Sequence, residues 1–383
     1  MPIRSEYSLA REGVTLDTIG RALKHTVLNP VLTIPLLLAA RYTQQGGQLA
    51  AQHAPAFKYL KAAVALGVLQ RLGLWLDDAV TNNFENDTYD WNKEVVVVTG
   101  GSDGIGKIVV QLLAERGIKV AVLDVQELTY DGMDTVFAPP SVRYFNVDLA
   151  SRDSIIEACD AVKAAFGNPT ILINNAGCAR GKNLLDSTEK DIRLTFNVNT
   201  LSHYFLAQQF LPSMIKNNHG MIVTVASFAA YLTTPNMIDY ASSKAAALAF
   251  HEGISAEVAT VLKAPKIRTV VMCQGYTRTK LFEGFGGRAL YPETVAEGIV
   301  KAVLKGKSAH LLLPEVGWLL VPLLRTLPLW MQYGLRKRLE SLMSNWRGRQ
   351  VVQPSLEQKE AVAQGENGVG KVDESAVLVP GEQ

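Results

Sequence analysis

With 383 residues, 48% hydrophobic and only 19% charged, the chain can bury a sizeable core and keep apolar surface to spare, which excludes wholesale disorder and a small disulfide-stapled scaffold. Lys and Arg number 38 against 36 Asp and Glu, a net charge of +2. That is too balanced for a protein that neutralises a row of phosphates, so no nucleic-acid partner is expected. Cys159, Cys178 and Cys273 fit neither a disulfide framework nor a zinc pattern, and the six histidines show no His-x-x-x-His spacing, so no metal site is expected.

In chain order, residues 1–92 read as a hydrophobic, membrane-associating region. Val27 to Ala40 is uncharged and mostly apolar but contains Pro30 and Pro35, and it falls short of the roughly 20 residues of a simple span. A second apolar run, Ala62 to Trp75, is interrupted by Arg71. Together they predict a re-entrant hairpin or helices lying in a membrane interface, with a helical lid packed on the protein as the competing reading. A cleaved signal peptide fits poorly, because Arg41 stands where the cleavage site would fall.

Residues 93–314 alternate short β-branched runs with helical periods, the pattern of a doubly wound, seven-stranded parallel sheet in an α/β fold. The predicted strands are Val95 to Thr99, Val120 to Asp124, Val142 to Asn146, Ile171 to Asn174, Met221 to Ala226, Ile267 to Met272 and His310 to Leu313. Residues 315–350 form a second hydrophobic helical extension. Val316 to Met331 is apolar and broken by Pro322 and Pro328, and the following stretch carries Arg336, Lys337, Arg338, Arg347 and Arg349. An amphipathic basic helix is expected there, attracting anionic lipid head groups, closing over a substrate pocket, or both. Residues 351–383 are polar and rich in Gly, Glu and Gln, a disordered tail by composition.

The first strand runs into Thr99-Gly100-Gly101-Ser102-Asp103-Gly104-Ile105-Gly106 and then into a helical pattern. Glycines in that position let the backbone turn tightly and present its N–H groups to a pyrophosphate at a helix N-terminus, so the loop from Gly100 through Ser102, Asp103, Gly104, Ile105 and Gly106 is the candidate dinucleotide cradle. The second strand ends at Asp124, close to the roughly 20-residue offset of the carboxylate that accepts ribose hydroxyls. A carboxylate there repels a 2′-phosphate, and no Arg or Lys stands in the glycine loop or in Val125-Gln126-Glu127. NAD is therefore preferred over NADP.

A Tyr with Lys at i+4 places both on one helical face, where they can exchange a proton with an alcohol oxygen. The chain has four such pairs: Tyr89/Lys93, Tyr240/Lys244, Tyr276/Lys280 and Tyr333/Lys337. Spacing alone does not choose among them. Only Tyr240-Ala241-Ser242-Ser243-Lys244 opens a small-residue helix just after a strand, with Ser227 at that strand's carboxyl end, where ligands bind in such sheets.

With the glycine loop, Asp148 in Asn146-Val147-Asp148-Leu149, Asn174-Asn175-Ala176-Gly177, Asn199 in Asn197-Val198-Asn199, then Ser227, Tyr240 and Lys244 in that order, the stretch from about Trp91 to Pro314 resembles the short-chain dehydrogenase/reductase family. The resemblance implies a Rossmann fold and NAD(P)-dependent oxidoreductase activity. Asp148 would contact the adenine, Asn175 would lie near the cofactor ribose, and Thr279 would hold the nicotinamide carboxamide. Asn199, Ser227, Tyr240 and Lys244 would form the catalytic tetrad, with Tyr240 and Lys244 also touching the cofactor. Ser227 would hold the substrate oxygen, Tyr240 would move the proton, and Asn199 would anchor a water relaying protons from Lys244. A neighbouring ammonium favours the phenolate of a tyrosine whose ordinary pKa is near 10.

One departure stands out. The loop after the sixth strand usually begins Pro-Gly in this family and here reads Cys273-Gln274-Gly275, which frees φ at that position. The two hydrophobic extensions look most like the membrane- or lipid-droplet-associated branch, similar to 17β-hydroxysteroid and retinal dehydrogenases. That likeness implies a lipophilic alcohol or ketone as small-molecule substrate, reached through a pocket near Phe282 to Tyr291 and Val316 to Met331. It also implies an intracellular membrane (endoplasmic reticulum or lipid droplet) and a possible homodimer. A dinucleotide-binding sensor or lipid-droplet structural protein with a vestigial tetrad is the competing reading, opposed by the intact four residues.

Overall fold

The computed structural model describes residues 3–5, 8–128, 141–351 and 354, so the tail expected over residues 351–383 lies almost wholly outside the described residues. The chain divides into two compact units, residues 6–84 and residues 1–5 with 85–383.

The smaller unit consists of α1 (Leu16–His25), α2 (Pro30–Tyr42), α3 (Gln44–Gln52) and α4 (Ala54–Thr81). Pro30 occupies the first helical position of α2 and Asn29 caps it through Val31 N, the place where a missing N–H costs nothing. The apolar run Ala62 to Trp75 sits inside a helix of 28 residues, about 42 Å long at 1.5 Å per residue. It extends past the run because no proline or glycine pair interrupts the chain from Phe57 to Thr81. Only Ala63 and Gly67 of α4 are buried, while Leu66, Leu69, Leu72, Leu74 and Trp75 are exposed. Its length and composition suffice to cross a membrane. The α1–α2 pair suffices only jointly and is bent by 48° at its break.

The larger unit is built on seven parallel strands: β1 (Val95–Thr99), β2 (Lys119–Asp124), β3 (Val142–Asn146), β4 (Ile171–Asn174), β5 (Met221–Val225), β6 (Arg268–Gln274) and β7 (Ala309–Leu313). Their order is β3-β2-β1-β4-β5-β6-β7. All seven coincide with the predicted runs to within two residues at either end. Because both faces are covered, the central strands read as unbroken apolar runs rather than alternating ones. Val96 and Val98 pack towards α5 (Gly104–Ala114) and α10 (Pro292–Lys305). Val97 packs on the other face, towards α6 (Arg152–Phe166) and α8 (Ser202–Asn217). Chain order reverses between β1 and β4, and the crevice at that switch point is where such sheets take ligands.

Between β4 and β5, α7 (Glu189–Phe196) passes into a π-helical turn, Asn197–Leu201, before α8. After β5 comes α9 (Ile238–Thr260). The extension beyond β7 is helical but divided: α11 (Gly317–Leu320), a 3₁₀ turn at Pro322–Arg325, α12 (Leu329–Arg338) and a second 3₁₀ turn at Glu340–Met343. Pro322 and Pro328 open new pieces because proline cannot donate to a preceding turn, so this part is not the one amphipathic helix expected.

The division between units falls at Glu85, a few residues before the expected boundary, because the lead into β1 is fastened to the sheet. Tyr89 donates to Gly220 O at 2.8 Å and stacks on Trp91 at 5.5 Å. Buried Arg268 donates to Glu85 O at 2.7 Å. His219 meets Asp87 Oδ2 at 2.7 Å through Nδ1 and Glu94 Oε2 at 3.3 Å through Nε2. Hydrogen bonding to Glu94, then to Asp87, outweighs burial and raises the His219 pKa above its ordinary value. The sign follows from linkage: the stabilisation is fully present below the unfolded-state pKa, about 6.5, and is lost as pH rises through the raised folded-state value. Replacement His219→Gln is expected to cost about 1–3 kcal/mol near pH 6 and much less above the raised pKa, checked by urea denaturation at the two pH values. Equal losses at both would contradict the ion-paired state.

Candidate active site

The carboxyl ends of β1, β4, β5 and β6 open on a cavity of about 360 Å³. At one end is the glycine loop. Gly100, Asp103, Gly104 and Ile105 line the cavity, and Asp103 caps α5 by accepting from Gly104 N at 2.9 Å. The loop closes so tightly on the helix that a Cβ on Gly106 would stand 2.1 Å from Gly100 O and 2.5 Å from Asn175 Nδ2. Gly106 thus shapes the cradle from behind and does not line it. Asn175 does line it, and it fixes the loop as well, donating from Nδ2 to Thr99 O at 3.0 Å and to Gly100 O at 3.1 Å.

Asp124 reaches the cavity from the end of β2. Its carboxylate accepts from Ser102 N at 2.9 Å and Gln126 N at 3.0 Å, and burial raises its pKa although these bonds oppose the rise. Two residues of the expected cofactor set lie behind the cavity lining. Ser102 does not line the cavity; its hydroxyl donates to Gln126 O at 2.8 Å and braces the loop. Asp148 does not line it either, although Val147 and Leu149 do. Its Oδ1 accepts from Ala150 N at 2.8 Å, spending an acceptor on the turn into α6.

At the other end, Tyr240 and Lys244 lie one turn apart on α9 and both line the cavity while almost fully buried, at 4% and 3% exposure. Lys244 Nζ donates to Val225 O at 2.8 Å and sits 5.9 Å from the centre of the Tyr240 ring. Burial pulls the ammonium down to about 8. Burial also pushes the Tyr240 phenol up, against a hydrogen bond to Ser227 that pulls it down. Ser227 is held by Ala229 N at 3.1 Å and by Gln274 O at 3.4 Å. Of the two effects on the phenol, burial is the larger, and a positive charge brought beside it would oppose that effect.

Asn199 lies in the π-helical turn, a feature frequent at functional sites. It is fully buried and does not line the cavity. Its Oδ1 accepts from Cys178 N at 2.8 Å, and its Nδ2 donates to Cys178 O and Ser243 Oγ, each at 2.9 Å. Both amide hydrogens are used, so the side chain welds the loop after β4 to α9 next to Lys244.

The proline-free loop after β6 is held in other ways. Gly275 N donates to Leu313 O at 2.7 Å, and Leu290 bridges Tyr276 and Arg278 at 2.8 and 2.9 Å. Thr279 lines the cavity as expected. Gln274 was not anticipated: it lines the cavity at 8% exposure, and its Oε1 is buried without a partner. An orphaned acceptor of this kind fits a ligand that carries N–H or O–H donors.

The apolar walls are Leu232, Met237, Phe282, Phe285, Leu339 and Leu342. The Phe282 part of the expected pocket is present, and among the described side chains none from Val316 to Met331 lines the cavity. The C-terminal contribution begins later, at Leu339, and includes Arg349 and Val351. Of the other Tyr/Lys pairs, Tyr89 is bound to Gly220 at the amino ends of the strands and Tyr333 is exposed on α12. Tyr276 and Lys280 border the cavity, Tyr276 against Phe285 at 4.9 Å.

A family model for the short chain dehydrogenase matches residues 94–286. Dehydrogenase RED2 of Cochliobolus heterostrophus is 44% identical over 210 residues, which are 55% of this chain and 77% of that protein. Estradiol 17-beta-dehydrogenase 11 of Homo sapiens is 32% identical over 243 residues, 61% of this chain and 79% of that protein. Among solved structures, a short chain dehydrogenase/reductase from Burkholderia phymatum in complex with NAD shares the fold with a TM-score of 0.55, at 22% identity over 65% of this chain and 97% of that one. The chain belongs to the short-chain dehydrogenase family. It is accordingly an oxidoreductase of CH–OH groups with a nicotinamide cofactor, and the glycine cradle, Asp124 and the Gln274 acceptor fit such a dinucleotide.

Gly106→Ala tests the cradle. With no room for the methyl group, the variant is expected to lose about 2 kcal/mol or more of stability together with dinucleotide binding, read from the thermal midpoint and from cofactor fluorescence. A variant as stable as the parent would refute the close approach.

Proposed function

We propose that the protein interconverts a lipophilic alcohol and its ketone or aldehyde at the membrane surface, using Tyr240, Lys244, Ser227 and Asn199. The observation that carries this reading is the buried Tyr240–Ser227 pair with Lys244 one turn away, facing a cavity whose outer wall is apolar. The similarity to an estradiol dehydrogenase supports a steroid-like or other lipid-like substrate.

When bound, the nicotinamide cofactor supplies or accepts the hydride and, in its oxidised form, a positive charge. Ser227 donates to the substrate oxygen and fixes its place. Tyr240 takes the alcohol proton in oxidation and returns it in reduction. Lys244 stabilises the phenolate and, held by Val225 O, passes protons outward past Asn199. In this reading Gly100, Gly104 and Ile105 seat the diphosphate, Asp124 the adenosine ribose, and Thr279 with Gln274 the carboxamide. The Asp124 carboxylate supports NAD over NADP, since a 2′-phosphate there would meet a like charge.

Exposed Leu32, Leu36, Leu66, Leu69 and Trp75 in the smaller unit support attachment to a membrane or lipid droplet, because apolar surface of this extent rarely faces water. The exposed apolar side chains Leu201, Tyr204 and Ile238 support pairing of two copies through the helical segments that hold Asn199 and Tyr240.

Tyr240→Phe is expected to lower turnover by at least about 10²-fold while NADH affinity stays within a factor of about two; turnover of the variant equal to the parent's would remove the mechanism. NADH is expected to bind at least about tenfold more tightly than NADPH, and Asp124→Asn to narrow the gap. Equal affinities in the parent would remove the ribose assignment.

A further inference from the structure

Residues 339–351 lie outside the stretch matched by the family model, yet they cross the mouth of the crevice and tie its two sides together. On one side they are bonded to the segment after β6: Gly286 N donates to Leu342 O, Arg347 N to Glu283 O and Arg349 N to Lys280 O, each at 2.8 Å, and the Trp346 indole donates to Leu281 O at 3.1 Å. On the other side they are bonded to the loop after β4. Gln350 Nε2 donates to Ala179 O at 3.0 Å, and Arg180, itself fixed by Asp191 at 2.6 Å, donates to Gln350 Oε1. Trp346 lies so flat on Gly181 that a Cβ there would come within 2.1 Å of the ring.

This strap carries one charged side chain into the cavity lining, Arg349. Its Nη1 is 2.9 Å from Asp103 Oδ2, the same carboxylate that Lys280 Nζ approaches at 3.7 Å. The Nε of Arg349 is buried without a partner. Asp103 is also the N-cap of α5, where the helix dipole adds about half a positive charge. Asp103 therefore faces two cations at the positive end of α5, and Asp124 is the other carboxylate of this part of the groove. The loop itself contains no Lys or Arg. A guanidinium with a donor unspent, at the N-terminal end of a helix, is matched by a phosphate, which it binds through paired hydrogen bonds.

We infer that Arg349 binds a phosphate group of the dinucleotide, so that the strap is a working wall of the cofactor site. The inference rests on the proposed dinucleotide-dependent function and adds to it a phosphate-binding residue from outside the family's matched region. Because Leu339, Leu342 and Val351 of the same segment line the cavity, seating the phosphate also sets the wall against which the substrate packs.

The test uses the full chain in detergent, with dissociation constants for NADH, NADPH, ADP-ribose and adenosine measured on the parent, Arg349→Gln and Arg349→Lys. Arg349→Gln is expected to weaken NADH and ADP-ribose alike by about tenfold or more, to leave adenosine unchanged, and to be partly rescued in Arg349→Lys. A loss common to NADH and ADP-ribose assigns the contact to the diphosphate, and a loss confined to NADPH assigns it to the ribose phosphate. Unchanged affinities for all three phosphate ligands overturn the inference, as does a fall in adenosine affinity matching the others, which means that the fold and not the charge was lost. A parent that binds none of the dinucleotides overturns the proposed function itself, an outcome distinct from parent and variant binding equally well.

Discussion

An ammonium group buried at the carboxyl end of the sheet is the constraint on which the rest of the molecule depends. A charged amine is costly away from water, and Lys244 meets that cost with one strong acceptor, Val225 O, and a pKa drawn down to about 8. It can sit there only because α9 is held rigidly against the sheet. Asn199 reaches Ser243 from the π-helical turn, Thr200 donates to Ser243 O at 2.9 Å, and Thr195 donates to Asp239 at 2.8 Å. These bonds fix the pitch at which Tyr240 and Lys244 face the crevice. The same burial that pulls the amine down pushes the phenol up, so in the proposed mechanism the phenolate depends on the further positive charge of the oxidised cofactor.

Much of this was legible in the sequence, for identifiable reasons. The strands were found because a sheet covered on both faces needs continuous β-branched runs, of which Val95-Val96-Val97-Val98 is the plainest. Tyr240 and Lys244 were separable from the three other pairs of equal spacing because Ser227 precedes them at a strand end. Asp148 and Ser102, expected at the cofactor, show a second use of a short polar side chain at a turn: Asp148 accepts from the backbone N–H of Ala150, and Ser102 donates to the backbone carbonyl of Gln126. Gln274 was noticed only as a missing proline, since nothing in sequence shows that a carboxamide is left without a partner.

The C-terminal extension was the least legible part. Its basic residues were read together as attracting anionic lipid, closing over a substrate pocket, or both, and Arg349 is set apart from Arg336, Lys337 and Arg338 by contacts with residues far away in the chain, Asp103 and Lys280. Charge runs report net attraction, and they cannot say which member turns inward. The pocket wall was likewise placed too early, at Val316 to Met331, because apolar content drew attention there. The prolines that divide this stretch deliver the chain instead to Leu339 and Leu342 at the cavity.

Two hydrophobic extensions thus play different parts. Residues 6–84 form a unit with apolar helices open to their surroundings, whereas residues 339–351 complete a cavity. The most direct measurement is a spectrophotometric titration of the Tyr240 phenol, taken as the difference between the parent and Tyr240→Phe, with and without oxidised cofactor. Ionisation well above the ordinary tyrosine pKa of about 10 in the free protein, falling once the cationic ring is bound, is the predicted result. A phenol that already ionises below that value in the free protein, or one that does not respond to the cofactor, would contradict it.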